Sequence, residues 1–283
     1  MAEFVTLRDA VGDLISDGSS VAMEGFTHLI PFASGHEVIR QQKRDLSVMR
    51  MTPDLIYDQL IGAGCVRKLI FSWGGNPGVG SLHRFRDAVE NGHPHPLEIE
   101  EHSHAGMTVR YAAGASGLPF GVLRGYLGTD LMNEADTVQP ISCPFTSEEL
   151  VAVSALKPDV AVIHAQQADR EGNVAMWGIT GVQKEAVLAA GKSIVTVEEI
   201  VDELAPQGLN YVVLPSWTVT AISHVPNGCH PSYAAGYSVR DNAFYRAWDG
   251  ISRERATFDA WIDRHLMNTA DHSEYLASLT SSN

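Results

Sequence analysis

The feature that most limits the possible folds of this chain is the alternation of short apolar runs with longer segments of helical spacing. Strand-like runs rich in Val, Ile, Leu and Met occupy residues 20–24, 46–51, 68–72, 97–101, 159–164, 193–197 and 211–214. Helix-like segments lie at residues 34–42, 55–63, 82–91, 107–115, 181–190 and 242–266. Because a strand, a helix and a second strand in this order form a crossover between parallel strands, the pattern predicts an α/β fold. We expect a largely parallel open sheet with helices on both faces.

Two stretches between these elements have the composition of connections. Residues 117–140 show little periodicity, and residues 214–231 contain several Pro, Gly and His residues. No repeat, low-complexity tract or linker divides the sequence, so we expect residues 1–283 to form one domain. The segment from about residue 241 is predicted to be a helical extension whose aromatic side chains pack against the body.

The charge and the cysteines restrict the class of protein. The chain of 283 residues has 34 Asp and Glu against 20 Lys and Arg, a formal net charge of −14, which argues against nucleic-acid binding. The N-terminal segment has no apolar signal-peptide core, and no apolar run reaches the roughly 18 residues of a membrane span. Cys65, Cys143 and Cys229 are far apart and have no CxxC spacing. These features predict a cytoplasmic protein that binds neither nucleic acid nor membranes.

Glycine-rich and polar segments follow the carboxyl ends of the predicted strands, where parallel sheets bind their ligands. The candidate site residues there are Gly25, Phe26, Thr27 and His28, then Ser72, Trp73, Gly74, Gly75 and Asn76, and finally Glu101 and His104. The glycines at 74–80 allow a ligand to approach the backbone closely, and a helix beginning near residue 81 could direct amides at an anion. Because neither a P-loop nor a dinucleotide fingerprint follows the first run, we expect another kind of small-molecule site.

The histidines at 93, 95, 102 and 104 raise the alternative of a metal site. Residues two apart share a face only on a strand, and neither an HExxH motif nor a Cys cluster supplies further ligands. We therefore predict no metal site, and we interpret His102 and His104 as part of a polar wall.

Glu101 and Asp169 also have two interpretations each. A glutamate at the end of a strand can act as a base or nucleophile, whereas an exposed carboxylate at the rim is the commoner outcome in so acidic a chain. Asp169 and Asn173 bracket Gly172, a spacing that favours a hydrogen-bonded turn over a catalytic role.

Several of these segments together resemble the alpha subunit of family I coenzyme A transferases. The resemblance rests on residues 17–31 (DGSSVAMEGFTHLIP) and 164–174 (HAQQADREGNV). Residues 101–107 (EHSHAGM) and 113–120 (AGASGLPF) are similar to the glutaconate CoA-transferase branch, and the resemblance extends over essentially the whole chain. The sequence departs from the family pattern at Glu24, which replaces the first glycine of a pair, at Ile30, which replaces a loop glycine, and at Pro31, which falls one residue early.

The resemblance implies ping-pong transfer of CoA between two acids through a glutamate on a beta subunit, which carries a Ser-Glu-Asn-Gly motif that this sequence lacks. It thus implies no catalytic residue in this chain, no permanently bound cofactor, a CoA thioester as substrate, and an assembly of α2β2 type. The residues at 25–28, 72–76, 101 and 104 would then face the substrate. Residues 51–60, 72–80 and 178–185 look most like subunits from aromatic-compound breakdown, which implies succinyl-CoA as donor and the dicarboxylic acid 3-oxoadipate as acceptor.

The sequence alone leaves three alternatives open. The chain could belong to a glutaconate-type transferase, or to a CoA-thioester hydrolase or decarboxylase of the same fold that uses Glu101. It could also be a non-catalytic scaffold subunit whose glycine loops are only turns.

Overall fold

The fold is taken from a computed structural model that describes residues 2–134 and 136–280. Its strands are β1 Glu3–Phe4, β2 Ser20–Met23, β3 Leu46–Arg50, β4 Val66–Phe71, β5 Glu98–Glu101, β6 Phe120–Leu123, β7 Val138–Ser142, β8 Glu149–Ser154, β9 Val160–Asp169, β10 Val174–Met176, β11 Lys192–Val201, β12 Val212–Leu214 and β13 Ala221–His224. Its α-helices are α1 Leu7–Leu14, α2 Phe32–Arg40, α3 Leu55–Gly62, α4 His83–Asn91, α5 His104–Ala115, α6 Leu131–Glu134, α7 Gln183–Ala189, α8 Asn242–Arg253, α9 Arg255–Ile262 and α10 His272–Thr280.

Eight of the strands form a continuous parallel ladder in the order β1-β13-β11-β9-β2-β3-β4-β5. The short strand β10 pairs antiparallel with the last part of β9, and β12 pairs antiparallel with β10. The predicted α/β class with a largely parallel sheet is therefore confirmed. The order also places the carboxyl ends of β2, β3, β4 and β5 side by side at one edge of the sheet.

The central strands, such as β2 and β9, are buried on both faces, and their successive side chains enter cores on opposite sides of the sheet. In β2, Val21 and Met23 belong to one apolar core, whereas Ala22 belongs to another. The first core is closed by the apolar faces of α1, α2, α3 and the C-terminal helices, and the second by α5 and α7. This arrangement confirms the prediction of helices on both faces.

The prediction that residues 117–140 are a simple connection is wrong for the described residues 117–134 and 136–140; residue 135 lies outside the described part. β6 and the first part of β7 lie in this stretch and pair with β8 in a small antiparallel sheet. Its buried side chains, Val138, Val151 and Val153, pack around Tyr126. The sequence signal is weak because β6 contains a glycine and presents half-exposed apolar side chains on its outer face.

Three further boundaries differ from the prediction. The supposed connection at 214–231 contains β13, which joins the main sheet. Helix α5 begins at His104 because the side chain of Ser103 caps it, accepting a hydrogen bond from Gly106 N–H at 3.0 Å. The C-terminal segment is three helices with a π-helical turn between α9 and α10, and Trp248 lies fully buried in it. Within the described residues, no helix combines the length and apolar character that crossing a bilayer requires.

Candidate functional site

A cavity of about 330 Å³ lies where the carboxyl ends of β2, β3, β4 and β5 meet. It is lined by Phe26, Thr27, Arg50, Thr52, Asp54, Trp73, Pro77 and His104. Four of these, Phe26, Thr27, Trp73 and His104, were predicted from the sequence. A larger cavity of about 640 Å³ lies between the end of β13 and α10, but none of the predicted residues lines it. We therefore take the cavity at the strand ends as the candidate site.

The loop after β2, residues 25–30, forms one wall of this cavity. A Cβ on Gly25 would lie 2.7 Å from the Leu29 carbonyl oxygen and 2.8 Å from the Ile30 Cα, so only glycine fits where the loop folds back on itself. Thr27 and Leu29 have φ values of +59° and +52°, which are unfavourable for side chains of their kind. Hydrogen bonds hold this shape, since Ser232 Oγ donates to the Thr27 carbonyl at 2.9 Å and Leu29 N–H donates to the Tyr233 carbonyl at 2.9 Å.

His28 lies inside the protein and does not line the cavity. Its Nε2 accepts a hydrogen bond from Ala235 N–H at 2.9 Å, so its Nδ1 carries the proton and donates to the Ile179 carbonyl at 3.1 Å. Burial lowers the pKa of His28 to about 4, which leaves the ring neutral. Since both ring nitrogens are engaged, we assign His28 to the support of the loop, and His104 remains the histidine that can meet a substrate.

The segment after β4 divides into exposed and structural residues. Trp73 is 44% exposed and lines the cavity, and Gly75 leaves room for its ring, since a Cβ there would lie 2.8 Å from it. Ser72 Oγ donates to the Met51 carbonyl at 2.7 Å, which ties β4 to the end of β3. Asn76 is buried, and its Nδ2 donates to the Tyr245 carbonyl at 2.8 Å. Among Ser72, Asn76 and Trp73, only the tryptophan reaches the cavity.

The two glutamates at the end of β5 point to opposite sides of the sheet. Glu101 is exposed, whereas Glu100 is buried and bonded to His102 at 2.9 Å and to Arg110 at 2.6 Å. Burial opposes the charge of Glu100, but the hydrogen bond from His102 and the positive charge of Arg110 hold its pKa well below the usual value. This buried cluster links β5 to α5, and α5 in turn presents His104 from its first turn.

The spacing of His102 and His104 does not bring their rings together. His102 is buried with Tyr126, whose hydroxyl lies 2.9 Å from its Nδ1. His104 is exposed, and its ring lies edge-on to Phe26 with a centroid distance of 6.4 Å. His104 therefore belongs to the cavity wall and His102 to the structural support behind it.

Arg50 and Asp54 form the floor of the cavity, and the sequence analysis did not predict either of them as a site residue. Arg50 ends β3 and Asp54 precedes α3, and both are 1% exposed. Their side chains form an ion pair of 2.9 Å, while the other carboxylate oxygen of Asp54 has no hydrogen-bond partner. The available sequence signal was an arginine at the end of an apolar strand, four residues before an aspartate at a helix start.

Glu24 is a further buried acid next to this floor. Its carboxylate accepts a hydrogen bond from Met51 N–H at 3.0 Å, which ties the end of β2 to the end of β3. Burial raises the pKa of Glu24 to about 7, and the charge of Arg50 opposes that rise. The residue that departs from the family's glycine pair is thus a buried acid in a structural role behind the cavity.

His164, Glu198 and Cys229 form the one group of potential metal ligands within the described residues, with ligand atoms within 4.8 Å of one another. They already form hydrogen bonds, since His164 Nε2 lies 2.9 Å from Glu198 and Asn227 N–H donates to Glu198 at 2.6 Å. We interpret the group as a buried connection between β9, β11 and the segment after β13.

Asp169 forms the turn that the sequence predicted. Its carboxylate accepts hydrogen bonds from Glu171 N–H at 3.0 Å and from Asn173 N–H at 2.9 Å. Gly172 between them has a φ of +86°. The structural interpretation of this motif is confirmed.

The cavity is suited to binding and orienting a substrate. Its walls combine two aromatic rings, Phe26 and Trp73, with the hydroxyls of Thr27 and Thr52 and the imidazole of His104. The carboxylate among its eight lining residues belongs to Asp54, whose negative charge is balanced by Arg50. A carboxylate nucleophile for acyl transfer would have to come from elsewhere.

A family model described as coenzyme A transferase matches residues 4–224. The chain is 63% identical over 280 residues to a 3-oxoadipate CoA-transferase subunit of Pseudomonas knackmussii, in an alignment that covers 99% of each protein. It is 27% identical over 286 residues to the cholesterol ring-cleaving hydrolase IpdA subunit of Rhodococcus jostii, covering 94% of this chain and 93% of that protein. The crystal structure of glutaconate coenzyme A-transferase from Acidaminococcus fermentans superposes with a TM-score of 0.90 at 31% identity, covering 99% of this chain and 94% of that one. Because the family model spans most of the chain and a full-length relative is 63% identical, this chain belongs to the coenzyme A transferase family, as its sequence resemblance predicted.

Proposed function

We propose that this chain is the alpha subunit of a heteromeric transferase that moves CoA from succinyl-CoA to 3-oxoadipate in aromatic-compound breakdown. The observation that carries the proposal is the 63% identity, over the full chain, to a protein named for that substrate. The proposal includes a cytoplasmic location, a partner beta subunit in an α2β2 assembly, and no cofactor besides the CoA thioester itself.

The proposed reaction passes CoA through a glutamate of the beta subunit. That carboxylate attacks the thioester carbonyl of succinyl-CoA, which gives a mixed anhydride and releases the CoA thiolate. The thiolate then attacks the glutamyl carbonyl, so that succinate leaves and a glutamyl-CoA thioester forms. The same two steps in reverse, with 3-oxoadipate as the attacking carboxylate, give 3-oxoadipyl-CoA and the free glutamate.

In this scheme the alpha subunit supplies a wall of a shared site. The rings of Phe26 and Trp73 would contact the acyl chain, while Thr27 and Thr52 donate hydrogen bonds. His104 lies in the first turn of α5, where the positive end of the helix dipole favours an anion. We propose that His104 faces the second carboxylate of the dicarboxylic acid.

The proposal is tested with the chain co-purified with its beta partner. We expect CoA transfer from succinyl-CoA to 3-oxoadipate by the complex and none by the chain alone. His104→Gln should reduce kcat/KM for 3-oxoadipate more than for a monocarboxylic 3-oxo acid, because the second carboxylate is absent from the latter. A complex that transfers CoA to no dicarboxylate would refute the assignment.

Two observations favour the hydrolase alternative. The chain is 27% identical to a ring-cleaving hydrolase subunit, and Glu101, the residue that this alternative uses, is exposed at the end of β5. The alternative predicts release of free CoA in the absence of any acceptor and loss of that release in Glu101→Gln. Transfer by the complex with full activity in Glu101→Gln would exclude it.

A further inference from the structure

The Arg50 guanidinium connects the floor of the candidate site to the start of its main loop. Its Nε and one terminal nitrogen donate to the Gly25 carbonyl at 3.1 and 2.7 Å, and its other terminal nitrogen donates to Asp54 at 2.9 Å. The cation also lies over the ring of Tyr57, at 5.6 Å from its centroid. Arg50 is 1% exposed, so these contacts replace nearly all of its hydration.

We propose that Arg50 is a positioning residue for CoA transfer, which sets the loop at residues 25–30 by fixing the Gly25 carbonyl, while Asp54 holds the guanidinium in place. This role rests on the proposed function. Phe26 and Thr27, the next two residues of the loop, line the cavity, so a change in the direction of the Gly25 carbonyl moves both.

The two hydrogen bonds from Arg50 to the Gly25 carbonyl explain why an arginine lies at the end of β3. A guanidinium is planar and offers several donors in a fixed geometry, whereas a lysine ammonium is a point charge that would replace the two bonds to Gly25 by at most one. Downstream in the loop, Thr27 and Leu29 are held by other partners, Ser232 and the Tyr233 carbonyl. Arg50 supplies the side-chain contact at the first residue of the loop.

The groups packed around Arg50 show that its charge is balanced inside the protein. Glu24 lies at the end of the neighbouring strand, Asp54 four residues on, and the hydroxyl of Tyr57 donates to the Met23 and Met49 carbonyls at 3.0 and 2.9 Å. Removing Arg50 alone would leave Asp54 as a buried, uncompensated charge. A clean test therefore removes both members of the ion pair.

The test compares Arg50→Gln/Asp54→Asn with a matched control pair, Arg84→Gln/Asp87→Asn. Arg84 is also buried, donates to two main-chain carbonyls, of Ser252 and Arg253, at 2.8 and 2.9 Å, and pairs with Asp87 at 3.0 Å. It ties α4 to α8 and takes no part in the cavity. Both double variants remove a buried arginine, its hydrogen bonds to main-chain carbonyls and its acidic partner, which is half-buried in the case of Asp87. Only the first double variant affects the loop.

The measurement is the single-turnover rate of covalent intermediate formation from succinyl-CoA, in the complete complex with enzyme in saturating excess. This rate constant does not depend on the fraction of folded enzyme, so a loss of stability alone does not change it. We expect a rate about 10- to 100-fold lower in Arg50→Gln/Asp54→Asn, since a displacement of about 1 Å near the reacting groups has an effect of that size. The control pair should react at the wild-type rate even where it melts at a lower temperature.

Arg50→Lys keeps the positive charge beside Asp54. It provides a second measurement of the rate if the double variant does not assemble with the beta subunit. We expect its rate to lie between those of the wild type and the double variant. A wild-type rate in either Arg50 variant, or an equal loss in the control pair, would overturn the positioning role. Absence of transfer by the wild-type complex would instead refute the proposed function, so the two failures are distinguishable.

Discussion

Replacing Gly25 by alanine should slow CoA transfer by about 10- to 100-fold while leaving the chain folded. The new Cβ would lie 2.7 Å from the Leu29 carbonyl oxygen and 2.8 Å from the Ile30 Cα, and both are main-chain atoms that cannot rotate away. Restoring an ordinary contact requires the two arms of the loop to separate by roughly 0.7 Å, and displacements of about 1 Å near a reacting centre can cost up to ~100-fold in rate. Phe26 and Thr27 follow Gly25 directly, so this displacement reaches the cavity wall.

The assay is CoA transfer by the purified complex, with thermal unfolding measured on the same samples. Gly74→Ala is the matched control, because a Cβ at Gly74 would meet its nearest neighbours, on Phe71 and Leu82, at ordinary distances of 3.9 to 4.0 Å. We expect the control to retain activity within about twofold. Wild-type turnover in Gly25→Ala would refute the reasoning, because it would mean that the loop shape does not govern the site.

Three further substitutions test other parts of the structure. Gly75→Ala places a Cβ 2.8 Å from the Trp73 ring and should turn that ring out of the cavity. Because one aromatic contact is lost, we expect steady-state kinetics to show a KM for the acyl-CoA that is about 3- to 10-fold higher. Trp248→Phe removes the indole N–H that donates to buried Asp58 at 3.0 Å, and urea denaturation should show a loss of about 1–3 kcal/mol; an unchanged midpoint would contradict this. Burial raises the pKa of Glu24 from 4.5 to about 7. Between these two pH values the folded state binds more protons than the unfolded state, so the free energy of unfolding falls as the pH rises from about 4.5 to about 7. Glu24→Gln should remove this component of the pH dependence of the free energy of unfolding, and identical slopes in the two proteins would exclude it.

The parallel sheet and the edge at which the candidate cavity lies could be predicted from the sequence because both follow from local pattern. Alternation of apolar runs with helical segments identifies the strands, and the residues after them converge wherever parallel strands neighbour each other. Phe26, Thr27, Trp73 and His104 were found in this way. The small antiparallel sheet was missed because its first strand, β6, is short and contains a glycine and half-exposed apolar residues, which give little periodicity.

Which side chain at a strand end faces the cavity could not be predicted, because that depends on tertiary contacts. Glu100 and Glu101 are successive residues of a strand and so lie on opposite faces, but no local pattern shows that Glu100 is the buried one, which bonds to Arg110 on the neighbouring helix. Similarly, the ring of His28 is enclosed by contacts with Ala235 and Ile179, more than 150 residues away, and this burial lowers its pKa and leaves it neutral. Such long-range contacts leave no signal in a local motif.

The most direct test of the central claim is to locate the covalent CoA adduct. The complex is incubated with succinyl-CoA without an acceptor acid, digested and mapped by mass spectrometry, so that the modified glutamate is identified in either chain. The account predicts an adduct on a glutamate of the beta subunit, because in the proposed reaction that subunit supplies the attacking carboxylate and this chain a wall of the site. An adduct on this chain, at Glu101 or any other glutamate, would contradict it.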